Sequence, residues 1–507
     1  MLPLLVTGLF AVAFALRILP HCFAPAGAGV DHWFWKMYIE TYRRERVFPP
    51  TLPQYILDEH QWYPPVFPLL MAQLPHWVFD RWSHLIAIVI DLARMALLLT
   101  VAYRQSYGSL AVVGLAGMLY ATSPILVSYN IQLNPRGLAA LFLDGCFMLL
   151  LWRYSYGGSV WLWAVVLLLA GLILLTHKMT TQLLWFIAIG AGLIYRDAAL
   201  LLLVPGSIAV AMVLSRGFYV KILAAHWDIV RFWNRHWRWI GADPLRESPI
   251  YGNPTYERPR KLHPSGLRGF VWRCQVLFGL NPAAWIACLL VYERLFVRSP
   301  FLIYPTWLLV WLLLTCLLAA LTTFVSSLKC IGAGYLYLYN ASLLASLVVA
   351  LTYRYTRLPE VSTPFAALVL LLNAVALAVY YRSFATNRRT RIDDGFERML
   401  LRLKALPRGV VMCLPQSWHE PVAYKTGQPV LYGAHGYGFR RMEPVFPRLL
   451  LPVREVVKRY RIRYLLTMEG VMTERFEAEL PAATCVREGE YLLYSFEHGA
   501  DGGEGTR

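Results

Sequence analysis

Residues able to carry out acid–base chemistry stand directly after the first apolar segment of the chain. Asp31 and His32 lie in the sequence Gly-Val-Asp-His-Trp-Phe-Trp at 29–35. A carboxylate that deprotonates a hydroxyl must lie close to it and be partly desolvated, and a loop resting on a membrane can provide both conditions. We therefore predict that Asp31 is a general base. A second interpretation is that Asp31 caps a helix over 33–45.

The same loop continues to a second polar cluster, Asp58-Glu59-His60. We predict that these three residues and His32 form an acceptor site, although such residues are also common in solvated loops. His32 could also bind a metal. However, the eight cysteines are scattered and show no Cys or Cys/His metal-ligand spacing. The sequence therefore predicts no zinc site and no disulfide framework.

A helical stripe follows Asp31. The apolar side chains recur at helical spacing, at Trp33, Phe34, Met37, Tyr38, Thr41 and Tyr42. The charged side chains fall on the other face, at Lys36, Glu40, Arg43 and Arg44. This pattern is typical of an amphipathic helix that lies in the lipid headgroups.

Cations at the ends of apolar segments form a second group of candidates. Arg136 follows Gln-Leu-Asn-Pro, His177 and Lys178 close one apolar run, and Lys329 lies near the end of another. If the loop after the first apolar segment is outside, all four face the same side as Asp31. Arg clamps a phosphate bidentately and Lys meets it as a point charge, so we predict that these residues bind a phosphate. The alternative is that they snorkel to lipid headgroups.

The composition requires a membrane to hold these residues in place. The chain of 507 residues is 58% hydrophobic and only 15% charged, with a mean hydropathy of +0.47. Soluble domains carry roughly 25% charged residues, so this chain is predicted to be an α-helical polytopic membrane protein. About eleven transmembrane helices are expected. They are at 2–20, 82–103, 108–129, 134–152, 160–176, 181–195, 198–215, 281–297, 301–322, 333–351 and 364–382.

Other segments are predicted not to span. Three prolines lie within 63–68, so 63–79 is expected to be re-entrant or to lie on the surface. A long polar loop is expected over 216–280; it is basic and rich in Trp, which indicates a membrane interface. Inside the spans, Asp91 and Arg94 are three residues apart and can pair, and Asp144 lies mid-span. Such charges are functional candidates, although a paired Asp and Arg are often structural.

The charge distribution sets the orientation and the partners. The net charge is +18, which on a membrane protein indicates anionic headgroups or substrates and no nucleic acid. The short loops opposite the Asp31 side each carry at least one arginine, as expected for cytoplasmic loops. One observation disagrees: arginines crowd the exit of the last span and favour a cytoplasmic tail. The sequence therefore leaves the side of the tail open.

The tail has the composition of a soluble domain. Strands are predicted at 410–414, 462–466 and 491–496, with a helix over 449–460. We therefore expect a transmembrane catalytic domain over 1–382, with outer loops at 21–62 and 216–280. A small α/β domain is expected over 383–498, and a disordered tail over 499–507.

This layout resembles the GT-C superfamily of polytopic glycosyltransferases, which use polyprenyl-phosphate-linked sugars. The resemblance lies in Arg17-Ile18-Leu19 before the first loop, in Asp31, in the Pro-rich segment 63–68 and in Asn134-Pro135-Arg136-Gly137. It covers most of residues 1–200 in layout. It implies inverting transfer of a hexose or pentose on the outer face of a membrane, with Asp31 as base and the cations on the lipid phosphate.

The resemblance also sets the expected partners and location. It implies a polyprenyl-phosphate-linked sugar and membrane lipid as partners, an unknown acceptor, and a bacterial plasma membrane. No cofactor is expected with certainty. A divalent metal is possible, but the first loop has Asp31-His32 in place of the usual acidic pair, and 130–134 has no acid. A transporter or flippase of lipid-linked sugars and a non-catalytic envelope scaffold are the alternative functions.

Overall fold

A computed structural model describes residues 1–23, 30–57, 62–157, 159–239, 266–294, 306–386, 393–433 and 439–497. The chain divides into two compact units. Unit 1 comprises 1–28, 64–224 and 265–390. Unit 2 comprises 29–63, 225–264 and 391–507.

The described helices are, in chain order, α1 (Leu2–Ile18), α2 (Pro20–Phe23), α3 (Val30–Glu45), α4 (Val66–Ala72), α5 (His76–Trp82), α6 (Ile86–Gln105), α7 (Leu110–Ala121), α8 (Pro124–Tyr129), α9 (Arg136–Tyr156), α10 (Val160–Leu174), α11 (Lys178–Tyr195), α12 (Ala198–Leu214), α13 (Tyr219–Arg235), α14 (Gly266–Leu280), α15 (Pro282–Tyr292), α16 (Thr306–Phe324), α17 (Leu338–Tyr355), α18 (Pro359–Thr386), α19 (Asp394–Ala405), α20 (His419–Thr426), α21 (Phe439–Met442), α22 (Val453–Arg459) and α23 (Glu474–Ala478). Two 3₁₀ segments, Ser326–Ile331 and Gly334–Tyr337, connect α16 to α17.

Unit 1 is an assembly of apolar helices, and a helix is found at each of the predicted spans. Within the described residues, six helices are long and apolar enough to cross a membrane. They are Leu2–Phe23, His76–Gln105, Arg136–Tyr156, Thr306–Phe324, Gly334–Tyr355 and Pro359–Thr386. A seventh is added if α14 and α15 form one span. The chain is therefore a multi-pass membrane protein. At several predicted spans the observed helix is shorter than a bilayer crossing needs, as in α7, α10 and α12.

The α14–α15 pair is bent by 95° at Asn281. The side chain of Asn281 accepts a hydrogen bond from the backbone N–H of Ala284 at 3.1 Å, and Pro282 occupies the first helical position, where its missing N–H costs nothing. The same amide donates to the carbonyl of Leu338 at 3.0 Å. The break is thus built into the sequence and tied to α17.

Helices occur both in the segment 63–79, which was predicted to be re-entrant or to lie on the surface, and in the predicted polar loop 216–280. The region 63–79 contains α4 and most of α5, which are separated by a turn at Gln73–Pro75. The predicted polar loop 216–280 contains α13 and α14 at its two ends, while 240–265 lies outside the described residues. The prediction of a loop over 216–280 is wrong at its two ends, because both ends carry apolar residues at helical spacing.

A fully buried network of charges joins the helices of unit 1. Arg17 of α1 pairs with Asp91 of α6, and the Nε of Arg94 donates to Asp144 Oδ2 of α9 at 2.6 Å. Arg94 Nη1 also lies 3.7 Å from Asp91 Oδ1, which confirms the predicted pairing. Tyr120 of α7 donates to Asp91 Oδ1 at 2.7 Å. Two arginines and two aspartates balance each other, as charges away from water require.

Unit 2 contains a mixed four-stranded sheet within the described residues. Its strands are β1 (Val410–Leu414), β2 (Ile462–Met468), β3 (Ala483–Glu488) and β4 (Tyr491–Phe496), in the order β1-β2-β4-β3. β1 and β2 are parallel, and the other pairs are antiparallel. The predicted strands are confirmed, and the predicted helix over 449–460 is α22. β3 was missed because its side chains are largely exposed and mixed in polarity.

The helix that follows the first apolar segment, α3, belongs to unit 2 and is almost wholly covered by protein. The prediction that it lies in the headgroups is wrong, because its apolar stripe is buried and so are Lys36 and Arg43 of its charged face. The predicted domain boundary at 382 is also incomplete. Residues 29–63 and 225–264 join the C-terminal segment, and the last helix of unit 1 runs to Thr386. The predicted disordered tail 499–507 lies outside the described residues.

Candidate functional site

The turn before α9 holds Arg136 at the start of that helix. The amide of Asn134 donates to the carbonyls of Tyr129 and Gln132 at 3.1 and 3.0 Å. Its oxygen accepts from the backbone N–H of Arg136 at 3.0 Å. The local sequence Asn-Pro-Arg thus forms a closed turn, because the short amide side chain satisfies backbone groups that have no helical partner.

The side chain of Arg136 is buried, with 8% of its surface exposed. Its Cζ lies 4.6 Å from the centroid of the Tyr129 ring. Among the described residues, its Nε and Nη1 have no hydrogen-bond partner. Buried donors left without acceptors cost free energy, so an anion with free oxygens would be a favourable partner for this guanidinium.

The connection between α16 and α17 touches the other predicted cation positions. Gly332 has φ +152°, and a Cβ there would lie 2.7 Å from Met179 Cε near the start of α11. The ring of Tyr335 lies 6.4 Å from that of Tyr129, the ring on which Arg136 stacks. The connection therefore contacts both the Arg136 turn and the first turn of α11, and it carries Lys329 itself.

His177 and Lys178 stand at the start of α11. His177 is the N-cap: its Nδ1 accepts from the backbone N–H of Thr180 at 3.4 Å and lies 3.0 Å from the Thr180 hydroxyl. Lys178 is the first helical residue. A helix N-terminus with a lysine presents positive charge, and the side chain of His177 caps this helix.

Sequence reasoning missed one cation beside Lys329. Burial and the positive charge of Arg273 lower the pKa of Lys329, so the two side chains lie close enough to repel each other. Arg273 is on α14, its Cζ lies 5.8 Å from the Phe324 ring centroid, and its Nε is buried with no hydrogen-bond partner among the described residues. The sequence signal was weak, because Arg273 is one of many cations in the 216–280 segment.

Asp31 and His32 belong to unit 2. The helix begins at Val30, so Asp31 lies in its first turn and the capping interpretation for a helix over 33–45 is wrong. A carboxylate there is stabilised by the positive end of the helix. His32 is 3% exposed and packs edge-on against Trp33 at 5.0 Å between centroids. Asp58, Glu59 and His60 lie outside the described residues.

The C-terminal segment holds the Asp31 helix in unit 2. The hydroxyl of Tyr424 on α20 donates to Glu40 Oε1 at 2.7 Å. Lys36 Nζ lies 5.2 Å from the Tyr424 ring centroid, and Lys425 Nζ lies 4.8 Å from that of Trp33. Each ammonium is thus held by the π face of an aromatic ring, which fastens α3 to α20.

Comparisons with known proteins agree on the architecture. No protein-family model matches the chain, and a search of curated proteins finds no match. Among solved structures, ArnT from Cupriavidus metallidurans bound to undecaprenyl phosphate matches with a TM-score of 0.54 at 11% identity, over 97% of each chain. The apo oligosaccharyltransferase of Archaeoglobus fulgidus matches with a TM-score of 0.56 at 12% identity, over 92% of this chain and 69% of the other. Both are GT-C proteins.

The chain has the GT-C fold. A third structure, the Archaeoglobus enzyme AglB with an inhibitory peptide and a dolichol-phosphate, matches with a TM-score of 0.54 at 11% identity, over 97% of this chain and 74% of the other. This agreement extends the resemblance seen in residues 1–200 to both units of the chain. At 11–12% identity the structural agreement establishes the GT-C architecture only. The chemistry must be argued from the residues of this chain.

The described side chains bear on metal binding. One Archaeoglobus structure of this fold is a complex with Zn and sulfate. Within the described residues, no group of three or more His, Cys, Asp or Glu side chains could hold a metal ion. The described donors therefore do not fit a metal, and we assign no step to one.

Proposed function

We propose that the chain is a membrane glycosyltransferase that moves a hexose or pentose from a polyprenyl-phosphate donor to an acceptor hydroxyl on the outer face of a bacterial plasma membrane. The observation that carries the proposal is the buried guanidinium of Arg136, whose Nε and Nη1 have no hydrogen-bond partner among the described residues, in a protein of GT-C fold. Proteins of the same fold bind undecaprenyl phosphate and dolichol-phosphate. A lipid phosphate supplies the acceptor oxygens that Arg136 lacks.

The cations of unit 1 would act on the leaving group. Negative charge grows on the donor phosphate as the sugar departs, so donors placed around it lower the barrier. Arg136 would clamp the phosphate through two N–H groups, and Lys178, Lys329 and Arg273 would add positive charge. His177 supports this group by starting α11. Burial and the charge of Arg273 lower the pKa of Lys329, and a phosphate bound beside it would favour its charged form.

Asp31 would act on the acceptor. An inverting transfer needs a base that takes the proton from the attacking hydroxyl, and a carboxylate in the first turn of a largely buried helix suits that task. His32, Asp58, Glu59 and His60 would orient the acceptor.

One observation favours a second candidate, a transporter of lipid-linked sugars. Broken helices line the binding sites of many transporters, and α14 and α15 are bent by 95°. Transporters of that kind repeat the break in a matching position of the other half. In the described residues this is the one bent pair that passes as a broken span, so the enzyme is the better proposal.

Phosphate recognition can be tested by binding. The purified full-length protein is titrated with undecaprenyl phosphate and with undecaprenol, which lacks the phosphate. We expect Arg136→Gln to weaken binding of the phosphate roughly ten- to hundredfold, the value of a charge-assisted contact, and to leave undecaprenol binding unchanged. The matched control is Arg153→Gln, at the other end of α9, where the guanidinium also stacks on a ring, that of Trp163 at 4.4 Å.

Catalysis is tested with a panel of undecaprenyl-phosphate-linked pentoses and hexoses, with release of undecaprenyl phosphate as the readout. Asp31→Asn should abolish release at normal expression while leaving binding of the lipid phosphate intact. A fully active Asp31→Asn protein would remove the base assignment. Equal binding of undecaprenyl phosphate and undecaprenol by the native protein would remove the phosphate site and with it the proposal.

A further inference from the structure

The buried charge network of unit 1 reaches the Arg136 turn through one side chain, Tyr339 of α17. Arg94, which is held by Asp144, lies with its Cζ 4.9 Å from the centroid of the Tyr339 ring. The hydroxyl at the other end of that ring donates to Asn130 Oδ1 at 2.8 Å. Tyr339 is 1% exposed, so no water can replace this hydrogen bond easily.

The Tyr339 hydroxyl is bonded to the residue at the start of the turn that presents Arg136, and it lies close to the residue after Arg136. Asn130 closes α8 and begins the turn, directly after Tyr129, whose ring carries the Arg136 guanidinium. Gly137 follows Arg136, and a Cβ at that position would lie 3.3 Å from the same hydroxyl. The hydroxyl oxygen of Tyr339 is therefore bonded to Asn130 at the start of the turn and lies close to Gly137 after Arg136. Arg94, held by its ion pairs, contacts the ring that carries this oxygen.

We propose that Tyr339 is a positioning residue for the lipid phosphate: it holds the Arg136 turn in the conformation in which the guanidinium meets the donor. This inference rests on the proposed function. A binding group that is already in position loses less conformational freedom when the ligand arrives, so its support contributes to affinity without touching the ligand. Gly137 fits the same role, because a Cβ at this position would lie 3.3 Å from the hydroxyl, a contact tight enough to require a small shift.

The test compares single hydroxyl deletions in the full-length protein. Tyr339→Phe removes the oxygen and keeps the ring against Arg94. We expect the Kd for undecaprenyl phosphate to rise on the order of fivefold, as the loss of one buried hydrogen bond gives. The matched control is Tyr355→Phe, at the other end of α17, whose hydroxyl donates to the Gln105 carbonyl at 2.6 Å. It should leave the Kd unchanged.

A double-mutant cycle separates positioning from general stability. In an Arg136→Gln background, Tyr339→Phe should have no further effect on the Kd, because the group it positions is gone. Asn130→Ala breaks the same hydrogen bond from the other side and should reproduce the loss, again only when Arg136 is present. A global loss of packing would instead weaken binding equally in both backgrounds.

The outcomes distinguish the two proposals. If Arg136→Gln weakens binding and Tyr339→Phe does not, or if the two effects add, the positioning role is overturned and the phosphate site stands. If Arg136→Gln leaves binding unchanged, the phosphate site itself is overturned. If Tyr355→Phe weakens binding as much as Tyr339→Phe, the effect belongs to α17 as a whole and the positioning role is overturned.

Discussion

Mild acid should loosen unit 2 through one buried histidine, His419 of α20. Its Nε2 accepts a hydrogen bond from the backbone N–H of Cys413 at 3.0 Å, and its ring lies 4.8 Å from that of Tyr432. Burial lowers the pKa of His419 to about 3. A protonated imidazole has no acceptor nitrogen, so charging the ring would also break the bond to Cys413.

The size of the effect follows from the two pKa values. In the unfolded chain the imidazole has its ordinary pKa of about 6.5, and in the folded chain its pKa is about 3. The unfolded state therefore takes up the proton first as the pH falls. Stability is intact above pH 6.5 and is lost progressively below it, down to about pH 3. From pH 7.5 to 5 the loss is about 2 kcal/mol.

The measurement is amide hydrogen exchange of β1 and β2 in the full-length protein at pH 7.5 and 5, corrected for the intrinsic exchange rate. The opening free energy should fall about 2 kcal/mol further in the native protein than in His419→Gln, whose amide oxygen can still accept from Cys413 but does not titrate. The same helix carries Tyr424, so protection of α3 should fall in parallel. An equal pH response in the two proteins would refute the buried neutral histidine.

Three further changes test the packing that supports the site. Asp144→Asn should destabilise the protein by about 3–5 kcal/mol in a detergent melt, because it leaves the charge of Arg94 without its closest carboxylate; replacing both residues by leucine should cost less, and an equal cost would contradict the ion-pair argument. Gly334→Ala should destabilise by at least about 1–3 kcal/mol, since a Cβ there would clash with the α16 backbone, whereas Gly8→Ala, with nothing within 4 Å, should not. Tyr424→Phe should raise the exchange rate of α3 amides on the order of fivefold while leaving β3 unchanged, and uniform loosening of unit 2 would contradict a local role.

Much of unit 1 could be predicted from sequence because lipid imposes a simple rule. A segment in hydrocarbon must satisfy its own backbone groups, so apolar runs become helices wherever they occur. The helices were predicted for this reason, and the Asp91–Arg94 pair was predicted from its three-residue spacing on one helix face. The pairing of Arg17 with Asp91 and of Arg94 with Asp144 could not be, because it depends on which helices lie side by side, and spacing along one chain does not report that.

Some residues of the candidate site could be predicted from the sequence and others could not. Arg136, Lys178 and Lys329 stood out as cations at the ends of apolar runs, but Arg273 was hidden among other cations of a basic segment. Its approach to Lys329 is set by the position of α14. The support from Tyr339 could not be predicted for the same reason. Tyr339 and its hydrogen-bond partner Asn130 are 209 positions apart along the chain, yet they are in contact in the folded protein.

The sequence alone determined that the chain is a helical membrane protein with an acid after its first span and a small α/β tail, because hydropathy and alternation are local properties. Tertiary structure alone decided that the Asp31 helix, α3, packs against the C-terminal segment within unit 2, with Tyr424 bonded to Glu40, instead of lying in lipid. An amphipathic stripe is equally satisfied by lipid or by protein. Which of them covers it depends on contacts between residues that are hundreds of positions apart.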